Sequence, residues 1–479
     1  MNRPDNCVIA AIDQTPPRRL WLTDMKNLRR PVSNRRQALG TLSRMAALSA
    51  VAGGSGSSRC LIEDLSAAEP SNDGVEVGPL ETFVPTRQIT FGPKQHWFGY
   101  YDKREFSSDG KRILACEVDF EHRSPTADDS IGVGMVDTAD GDRWQRFGTT
   151  KAWGWQQACM LQWVGQNDDR VMWNDRTDGQ FVARIRSMDS GDVRTLDRPI
   201  YTLAPSGEFG LSVDFARLDH LRPGYGYDGG TDRFLRQRAP EGSGVWRVDM
   251  QSGDSQLILS LADVVRLPWP DGKTHEDAWH YFNHLLINPA GNRFIVLHRY
   301  RPKFDPDTMT FEGQFVTRML TASIDGGDVR VVDPSGHTSH FIWKDDQTIT
   351  AWTRPAGSPW GFYDLVDAAD PPPPERIGAS AMRSNGHNTY LPAPHQDWIL
   401  NDTYPSKKDR RQTVYLYHVP SGRRVDLGHF PSPPAYTGEW RCDTHPRSGP
   451  NGRQVAIDSP HADGGRQIYL LDIASIVSG

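Results

Sequence analysis

Residues 107–116 read Ser-Ser-Asp-Gly-Lys-Arg-Ile-Leu-Ala-Cys, a polar turn followed at once by a short run of β-forming residues. The same unit recurs through the rest of the chain. Seven such turns begin at Ser107, Gln166, Ser206, Pro289, Lys344, Pro394 and Pro450. Short apolar alternation punctuated by Gly, Asp and Pro predicts antiparallel strands joined by tight turns.

A second β-run follows each of these units and ends in an acidic or Gly-rich turn. The seven runs are Val133–Asp137, Val182–Met188, Val245–Met250, Leu320–Ile324, Phe362–Val366, Val414–His418 and Ile468–Ile473. A repeat of about 57 residues suits four strands with long loops. The sequence therefore predicts an all-β fold over residues 80–479, a seven-bladed β-propeller with four-stranded antiparallel blades.

The last repeat supplies only three strands, within Trp440–Ile473. We expect the N-terminal segment Glu81–Phe91 to add the fourth strand and close the ring. Two separate all-β sandwiches are the alternative, but they would not predict one register shared by seven units.

The N-terminal region differs in composition from the repeats. Arg35 and Arg36 stand directly before a weakly apolar, Ala-rich stretch, which resembles a twin-arginine export signal, and a Ser/Gly/Asp-rich segment follows at 53–78. An amphipathic helix with a chance Arg pair is the alternative. We expect residues 1–79 to be an export signal and flexible linker, and the protein to be periplasmic or extracellular.

Composition excludes several classes of protein. The 54 Lys and Arg against 60 Asp and Glu give a net charge of −6, so nucleic-acid binding is not expected. No apolar run is long enough to span a membrane. The five cysteines, Cys7, Cys60, Cys116, Cys159 and Cys442, are too scattered for a small disulfide framework but leave one bridge possible. We expect a monomer.

The residues just ahead of each first turn belong to the innermost strand of a propeller blade and face the central channel. Here they are His96, Gln156, Gln157, Tyr201, Asn283, His284, His337, His340, His387, Cys442 and His445. A single His in a strand is most often a core residue. The repetition of His, Tyr, Gln and Cys at one position in most blades predicts a functional cluster.

Four of these residues are of types that bind borderline transition metals: His284, His340, Cys442 and His445. We predict that they hold one divalent metal, zinc, in a structural role. A hydrogen-bonded plug in the channel is the alternative, and the sequence leaves open whether His387 joins the site. No phosphate-cradling loop is present, and no organic cofactor is expected.

Aromatic and cationic side chains gather in the first half of the propeller. Trp97, Tyr101, Arg123 and Tyr225 are the predicted substrate-binding residues, because an anionic sugar is recognised by cations and by flat aromatic faces. For the run Tyr225-Gly226-Tyr227 the alternative is an ordinary ordered loop.

The order of His96, His122, Tyr201 and Arg217, with Arg217 sixteen residues after Tyr201, resembles the propeller-type ulvan lyases. That resemblance implies cleavage of an anionic, uronate-containing polysaccharide by β-elimination. It assigns Tyr201 as base and then acid, Arg217 as the group that neutralises the carboxylate, and His96 and His122 as neutralisers or proton shuttles.

A more distant resemblance is to the oligogalacturonate lyases, also seven-bladed propellers with a central metal. It rests on Asn283-His284, on Ser339-His340-Phe341, and on residues 443–446, which read Asp-Thr-His-Pro. The sequence differs from that family by carrying Asp443 and Arg447 near the expected second metal-site histidine.

The chemistry of a uronate lyase agrees with these residue types. The enzyme must neutralise the C6 carboxylate, remove the C5 proton and protonate the departing O4. Two alternatives stay open: a glycosidase using carboxylates among Asp102, Asp214 and Glu439, and a non-catalytic propeller that binds carbohydrate or protein. GxSxG and HExxH motifs are absent from the sequence, which argues against esterase and zincin chemistry.

Overall fold

The structure, a computed structural model, describes residues 75–478 and arranges them as a seven-bladed β-propeller of four-stranded antiparallel blades. This confirms the predicted fold. In blades 1 to 3 the strands, from the innermost outward, are Gln95–Trp97, Arg112–Val118, Ile131–Asp137 and Arg143–Thr150; Gln162–Trp163, Arg170–Thr177, Gln180–Ser187 and Val193–Leu196; Thr202–Leu203, Phe209–Ser212, Gly244–Asp249 and Ser255–Ser260.

Blades 4 and 5 follow the same order. Their strands are Trp279–Ile287, Arg293–Arg301, Val316–Ser323 and Arg330–Gly336; Phe341–Trp343, Thr348–Thr353, Gly361–Val366 and Glu375–Ile377. A two-stranded hairpin extends from blade 4 and consists of Lys303–Asp305 and Thr310–Glu312.

Blades 6 and 7 each take a strand from the N-terminal segment. Blade 6 consists of Thr389–Tyr390, Trp398–Asn401, Arg411–His418 and Arg423–Pro431, with Glu81–Thr82 at its outer edge; blade 7 consists of Arg447–Ser448, Gln454–Ser459, Gln467–Asp472 and Thr86–Gln88.

Helices are few and short in the described part of the chain. They are α1 (Phe215–Leu221), α2 (Leu261–Val265), α3 (Ala474–Val477) and a 3-10 turn, Gly438–Trp440. None of them has the length and apolar character needed to cross a membrane.

The polar turns that revealed the repeat lie between the first and second strands of each blade. In blades 3 and 7 these turns contain Gly207 and Gly452, with φ of 73° and 64°. Glycine adopts this left-handed conformation without the steric cost that a Cβ brings. The turn residues therefore fix where each inner hairpin reverses.

The ring is closed by pairing the N-terminal segment with the last blade. Thr86 lies opposite Leu471 and Gln88 opposite Tyr469, and Ile89 N donates to Ile468 O at 3.0 Å. This confirms the predicted role of Glu81–Phe91. Glu81 also pairs with His429 on blade 6, so the segment joins two neighbouring blades.

Buried side chains stabilise this closure. Ile89 is fully buried in an apolar cluster that contains Ile113 from blade 1 and Ile468 from blade 7. We expect Ile89→Ala to lower the free energy of unfolding by about 2–5 kcal/mol, the usual cost of truncating a buried Ile. The matched control is Leu80→Ala, because Leu80 is 44% exposed and should change stability by no more than about 0.5 kcal/mol. Equal effects in chemical denaturation would contradict this account of the closure.

The three cysteines within the described residues, Cys116, Cys159 and Cys442, are free thiols. Cys116 and Cys159 contact each other between blades 1 and 2, with their sulfur atoms 3.9 Å apart. The predicted export signal and most of the predicted linker lie outside the described residues.

Candidate active site

Three consecutive blades each present a histidine just before the innermost strand, and these side chains converge. His387 lies at the centre, with its ring 4.3 Å from the ring of His340 and 4.2 Å from the ring of His445. All three are buried. The repeated inner-strand position predicted from the sequence thus brings the histidines of blades 5, 6 and 7 together.

His387, Asp443 and His445 form the group that could hold a metal ion. One ligand atom from each lies within 4.8 Å of the others. His387 Nδ1 lies 3.0 Å from both carboxylate oxygens of Asp402, which fixes the ring and leaves Nε2 available. His445 Nε2 is buried and has no hydrogen-bond partner in the described chain. Two imidazoles and a carboxylate with an unsatisfied ligand atom fit a divalent cation.

The predicted metal set is only partly assembled here. His445 belongs to the cluster, and His340 lies beside it, where its Nδ1 is 2.9 Å from Asn385 Oδ1 and its Nε2 is 3.3 Å from Tyr404 Oη. The cluster does not include His284: its Nε2 is 3.2 Å from Asp102 Oδ2 and its ring stacks on Phe341.

Cys442 is also outside the cluster, and its neighbour Asp443 supplies a ligand atom instead. Burial raises the pKa of the Cys442 thiol far above its usual value. The prediction of zinc from the sequence depended most on Cys442, because a thiolate ligand favours zinc. With imidazole and carboxylate ligands the site fits a divalent metal in general, and zinc stays a prediction.

Arg441 connects this cluster to Tyr225, which reaches it from the long loop of blade 3. Arg441 Nε donates to both carboxylate oxygens of Asp443 at 2.8 and 3.1 Å, and Nη2 donates to Tyr225 Oη at 3.2 Å. Gln156 Nε2 holds the backbone of this segment by donating to the carbonyls of Glu439 and Arg441. Loops from blades 3 and 7 are therefore tied together at the site.

Two arginines lower the pKa of the Tyr225 phenol. Burial raises the pKa of this phenol, but the guanidinium groups of Arg441 and Arg222 outweigh that effect, and the pKa lies below its ordinary value. The Arg222 Cζ atom lies 4.7 Å from the centre of the Tyr225 ring. Tyr225 is half-buried, so it combines a lowered pKa with access to solvent.

Tyr201, the predicted base, lies in a different environment. Its side chain is fully buried, with its hydroxyl 3.0 Å from Gln157 Oε1 and 3.2 Å from Asn283 Oδ1, and this oxygen accepts from His284 N. Burial raises the pKa of Tyr201 well above its ordinary value. These contacts describe a structural hydroxyl that anchors neighbouring inner strands.

Arg217 lies within α1, where its guanidinium is used by the backbone. It donates to the carbonyls of His280, Phe234, Gln237 and Arg238 at 2.7–3.3 Å. The side chain is 2% exposed and forms an ion pair with Asp232 at 3.6 Å. The chain leaves the strand at Ser212 and turns into this helix, so Arg217 anchors the blade 3 loop.

The two remaining residues of the predicted catalytic set also have separate neighbours. His96 is buried, with Nδ1 3.1 Å from Gln467 Oε1, and burial lowers its pKa. His122 is exposed, with Nδ1 3.2 Å from Ala435 O and its ring against Tyr436. Within residues 75–478 no hydrogen bond, ion pair or ring contact joins any two of His96, His122, Tyr201 and Arg217.

The four predicted substrate-binding residues separate in the same way. Trp97 is buried against Trp153 and Trp155, and the Tyr101 hydroxyl is bonded to the backbone of Phe341. Arg123 forms a two-point ion pair with Asp129. Of the four, two lie near the histidine cluster. The Tyr101 ring is 5.2 Å from the ring of His387 and 6.0 Å from that of His340, and Tyr225 is linked to Asp443 through Arg441.

Two of the three carboxylates considered for a glycosidase, Asp102 and Asp214, have partners within the fold. Asp102 is buried between Lys103 and His284; burial raises the pKa of this carboxyl, but Lys103 and His284 outweigh burial and hold the pKa at about 2. Asp214 caps the N-terminus of α1. With a pKa of about 2, Asp102 does not supply the protonatable acid that glycoside hydrolysis requires. Burial and the neighbouring Asp232 raise the pKa of Asp214, and its two oxygens accept from Arg217 N and Ser243 Oγ.

Comparison with known proteins adds the following. No protein-family model and no curated protein matches the sequence. Among solved structures, an oligogalacturonate lyase in complex with manganese is similar, with a TM-score of 0.57 and 13% identity over 85% of this chain and 99% of that chain. An oligogalacturonate lyase from Vibrio parahaemolyticus gives a TM-score of 0.54 and 13% identity over 84% and 99%. These neighbours share the propeller fold. The resemblance to the ulvan lyases stays a prediction.

Proposed function

We propose that this protein is a lyase that cleaves a uronate-containing oligosaccharide or polysaccharide by β-elimination at the site around His387, Asp443, His445, Arg441 and Tyr225. The observation that carries the proposal is the hydrogen-bonded link from Asp443 through Arg441 to Tyr225. It places a phenol of lowered pKa next to a group suited to a divalent cation. The oligogalacturonate lyases that share the fold, one of them in complex with manganese, support the same reaction class.

His387, Asp443 and His445 would hold the divalent cation, with Asp402 orienting His387 and His340 completing the surroundings. When bound, a divalent cation supplies positive charge that offsets the negative charge of the uronate C6 carboxylate and so acidifies the C5 proton. The metal would then have a role in the reaction rather than the structural role expected from the sequence.

Tyr225 is the proposed proton acceptor, in place of Tyr201. Its phenolate takes the C5 proton, the C5 electron pair forms the C4=C5 double bond, and the C4–O4 bond breaks. The phenol then returns its proton to O4, so that the proton lost from C5 ends on the departing sugar. Arg441 stabilises the phenolate before and after the transfer.

The test is to incubate the protein, in the presence of Mn²⁺, with polygalacturonate, with oligogalacturonates and with ulvan, and to follow ultraviolet absorbance. Elimination creates a double bond conjugated with the carboxylate, and absorbance should rise. New reducing ends without absorbance would indicate a glycosidase. Binding without either signal would support the non-catalytic propeller and overturn the lyase.

We also propose an ulvan-like polymer as one substrate, on the resemblance of the sequence, and oligogalacturonate as the other. The assay distinguishes the two by rate. Export of the protein through its twin-arginine-like segment, and a monomeric state, remain part of the same proposal.

A further inference from the structure

Two arginines near Tyr225 form no ion pair with an Asp or Glu among the described residues. Arg222 follows α1 on the blade 3 loop, and Arg299 lies on the second strand of blade 4. Among residues 75–478 neither guanidinium forms a side-chain hydrogen bond or an ion pair, and the Nε atoms of both are buried without a partner. Other buried arginines in the described part of the chain have acidic partners, for example Arg447 with Glu105 and Asp458.

The two guanidinium groups share one aromatic neighbour. The Cζ atoms of Arg222 and Arg299 lie 4.5 and 4.6 Å from the centre of the Phe315 ring. Arg299 is 7% exposed, and the nearby Arg222 adds to the effect of burial in lowering the pKa of Arg299. Placing two cations together with little access to water costs free energy that a bound anion would offset.

A third unsatisfied donor lies beside them. Tyr281 is opposite Arg299 in the register of blade 4, and its buried hydroxyl has no hydrogen-bond partner within the described chain. Its side chain is 1% exposed. Two guanidinium forks and a hydroxyl, all without partners, form a site built for an oxyanion.

We propose that Arg222, Arg299 and Tyr281 form a subsite for a second anionic group of the substrate, a carboxylate or sulfate ester on the sugar next to the one that is cleaved. The inference rests on the proposed function for the identity of the chain that carries the anion. The subsite lies next to the proposed base, because Arg222 contacts both Phe315 and the ring of Tyr225. The planar guanidinium matches carboxylate and sulfate oxygens equally.

The subsite predicts a preference for substrates with charges on adjacent sugars. Ionised digalacturonate should bind better than its singly methyl-esterified forms, and a sulfated neighbouring sugar should replace the second carboxylate. Arg299→Gln and Arg222→Gln should each weaken digalacturonate binding by about tenfold or more, as expected for the loss of a charge-assisted pair.

Binding is measured by calorimetry on the full chain, with inorganic sulfate, galacturonate and digalacturonate as probes, so that no turnover is needed. The control is Arg247→Gln, because Arg247 also stacks on a phenylalanine, Phe209, but lies on the third strand of blade 3. It should bind the probes as wild type does. Arg299→Lys, which retains the charge, should recover part of the affinity.

Thermal unfolding gives a second readout that does not depend on the lyase reaction. Sulfate or digalacturonate should raise the Tm of the wild-type protein with concentration, and this shift should be lost in Arg299→Gln. Binding by sulfate alone or by carboxylate alone assigns the anion. Wild-type protein that binds none of the three probes, or Gln variants that bind as tightly as wild type, would overturn the subsite. Anion binding without ultraviolet product would overturn the lyase alone.

Discussion

Tyr225→Phe should lower kcat on the best uronate substrate by about 10²–10⁴-fold, the range attributed to general acid–base catalysis. The substitution keeps the ring that Arg222 covers and removes only the oxygen that accepts from Arg441. KM should change little, because the lost group acts on the proton and not on the sugar chain. Initial rates measured from ultraviolet absorbance check this.

The pH dependence provides a sharper criterion. A base must be deprotonated to act, so the rate should rise with pH along a limb below the ordinary pKa of tyrosine, because Arg441 and Arg222 lower the pKa of Tyr225. The carboxylate of Asp443 acts in the opposite direction and raises the pKa of Tyr225, and Arg299 is a further cation near this phenol. Arg441→Gln should move the limb to higher pH, with metal content measured alongside since Arg441 also contacts Asp443.

Two other tyrosines make the comparison specific. Tyr363→Phe also loses a buried phenol hydrogen bond, to Pro359 O on blade 5, and should retain wild-type kcat. Tyr201→Phe tests the assignment that the resemblance to the ulvan lyases implies. A larger loss of kcat in Tyr201→Phe than in Tyr225→Phe would return the role of base to Tyr201.

His445→Ala should abolish tight divalent-metal binding and, with it, most of the activity. His445 supplies the buried Nε2 atom that lacks a partner. Removing this ligand should reduce metal affinity by more than the roughly 10–100-fold that changes outside the ligand shell cause. Elemental analysis after dialysis, together with rates at saturating Mn²⁺, measures both effects.

Cys442→Ser and His284→Gln are the controls for the metal prediction, because the sequence placed both residues in the metal site and the structure separates them from the cluster. Both variants should retain the metal. Loss of metal from both Cys442→Ser and His284→Gln would show that the thiolate set expected from the sequence is the real one.

The sequence predicted the fold well because blade structure is a local property. Six of the seven turns carry a Gly or Asp, and the strands beside them alternate, so one register could be followed through seven repeats. The histidines of blades 5 to 7 were found by the same means, since the repeat fixes which residue precedes each inner strand.

The identity of the ligands was harder to predict, because one residue along an extended chain decides which side a side chain faces. Arg441, Asp443 and His445 are spaced by two and meet at the site, whereas Cys442 between them does not. The sequence favoured Cys442 because its residue type suits zinc. The two-residue spacing was the signal that could have selected Asp443.

The arginine pair could not have been found from sequence. Arg222 and Arg299 lie on different blades. What distinguishes them is that neither forms an ion pair with an acid in the described structure and that both Nε atoms lack a partner. The chain has many arginines, and pairing is settled only by the folded geometry. Arg217 is the opposite example. Its spacing from Tyr201 suggested that it contacts the substrate, but in the structure it lies on α1 and donates to backbone carbonyls.

The strand that closes the ring has a consequence for how the chain folds. Thr86 is made well before its partner Leu471, which follows it by several hundred residues. Until then Thr86–Gln88 has an unpaired edge, and blade 7 cannot complete its sheet. Contacts this distant in sequence are slow to form, and an open strand edge invites pairing with other chains. Assembly of the ring should therefore be a late, cooperative event that protects the nascent protein from aggregation only once blade 7 has emerged.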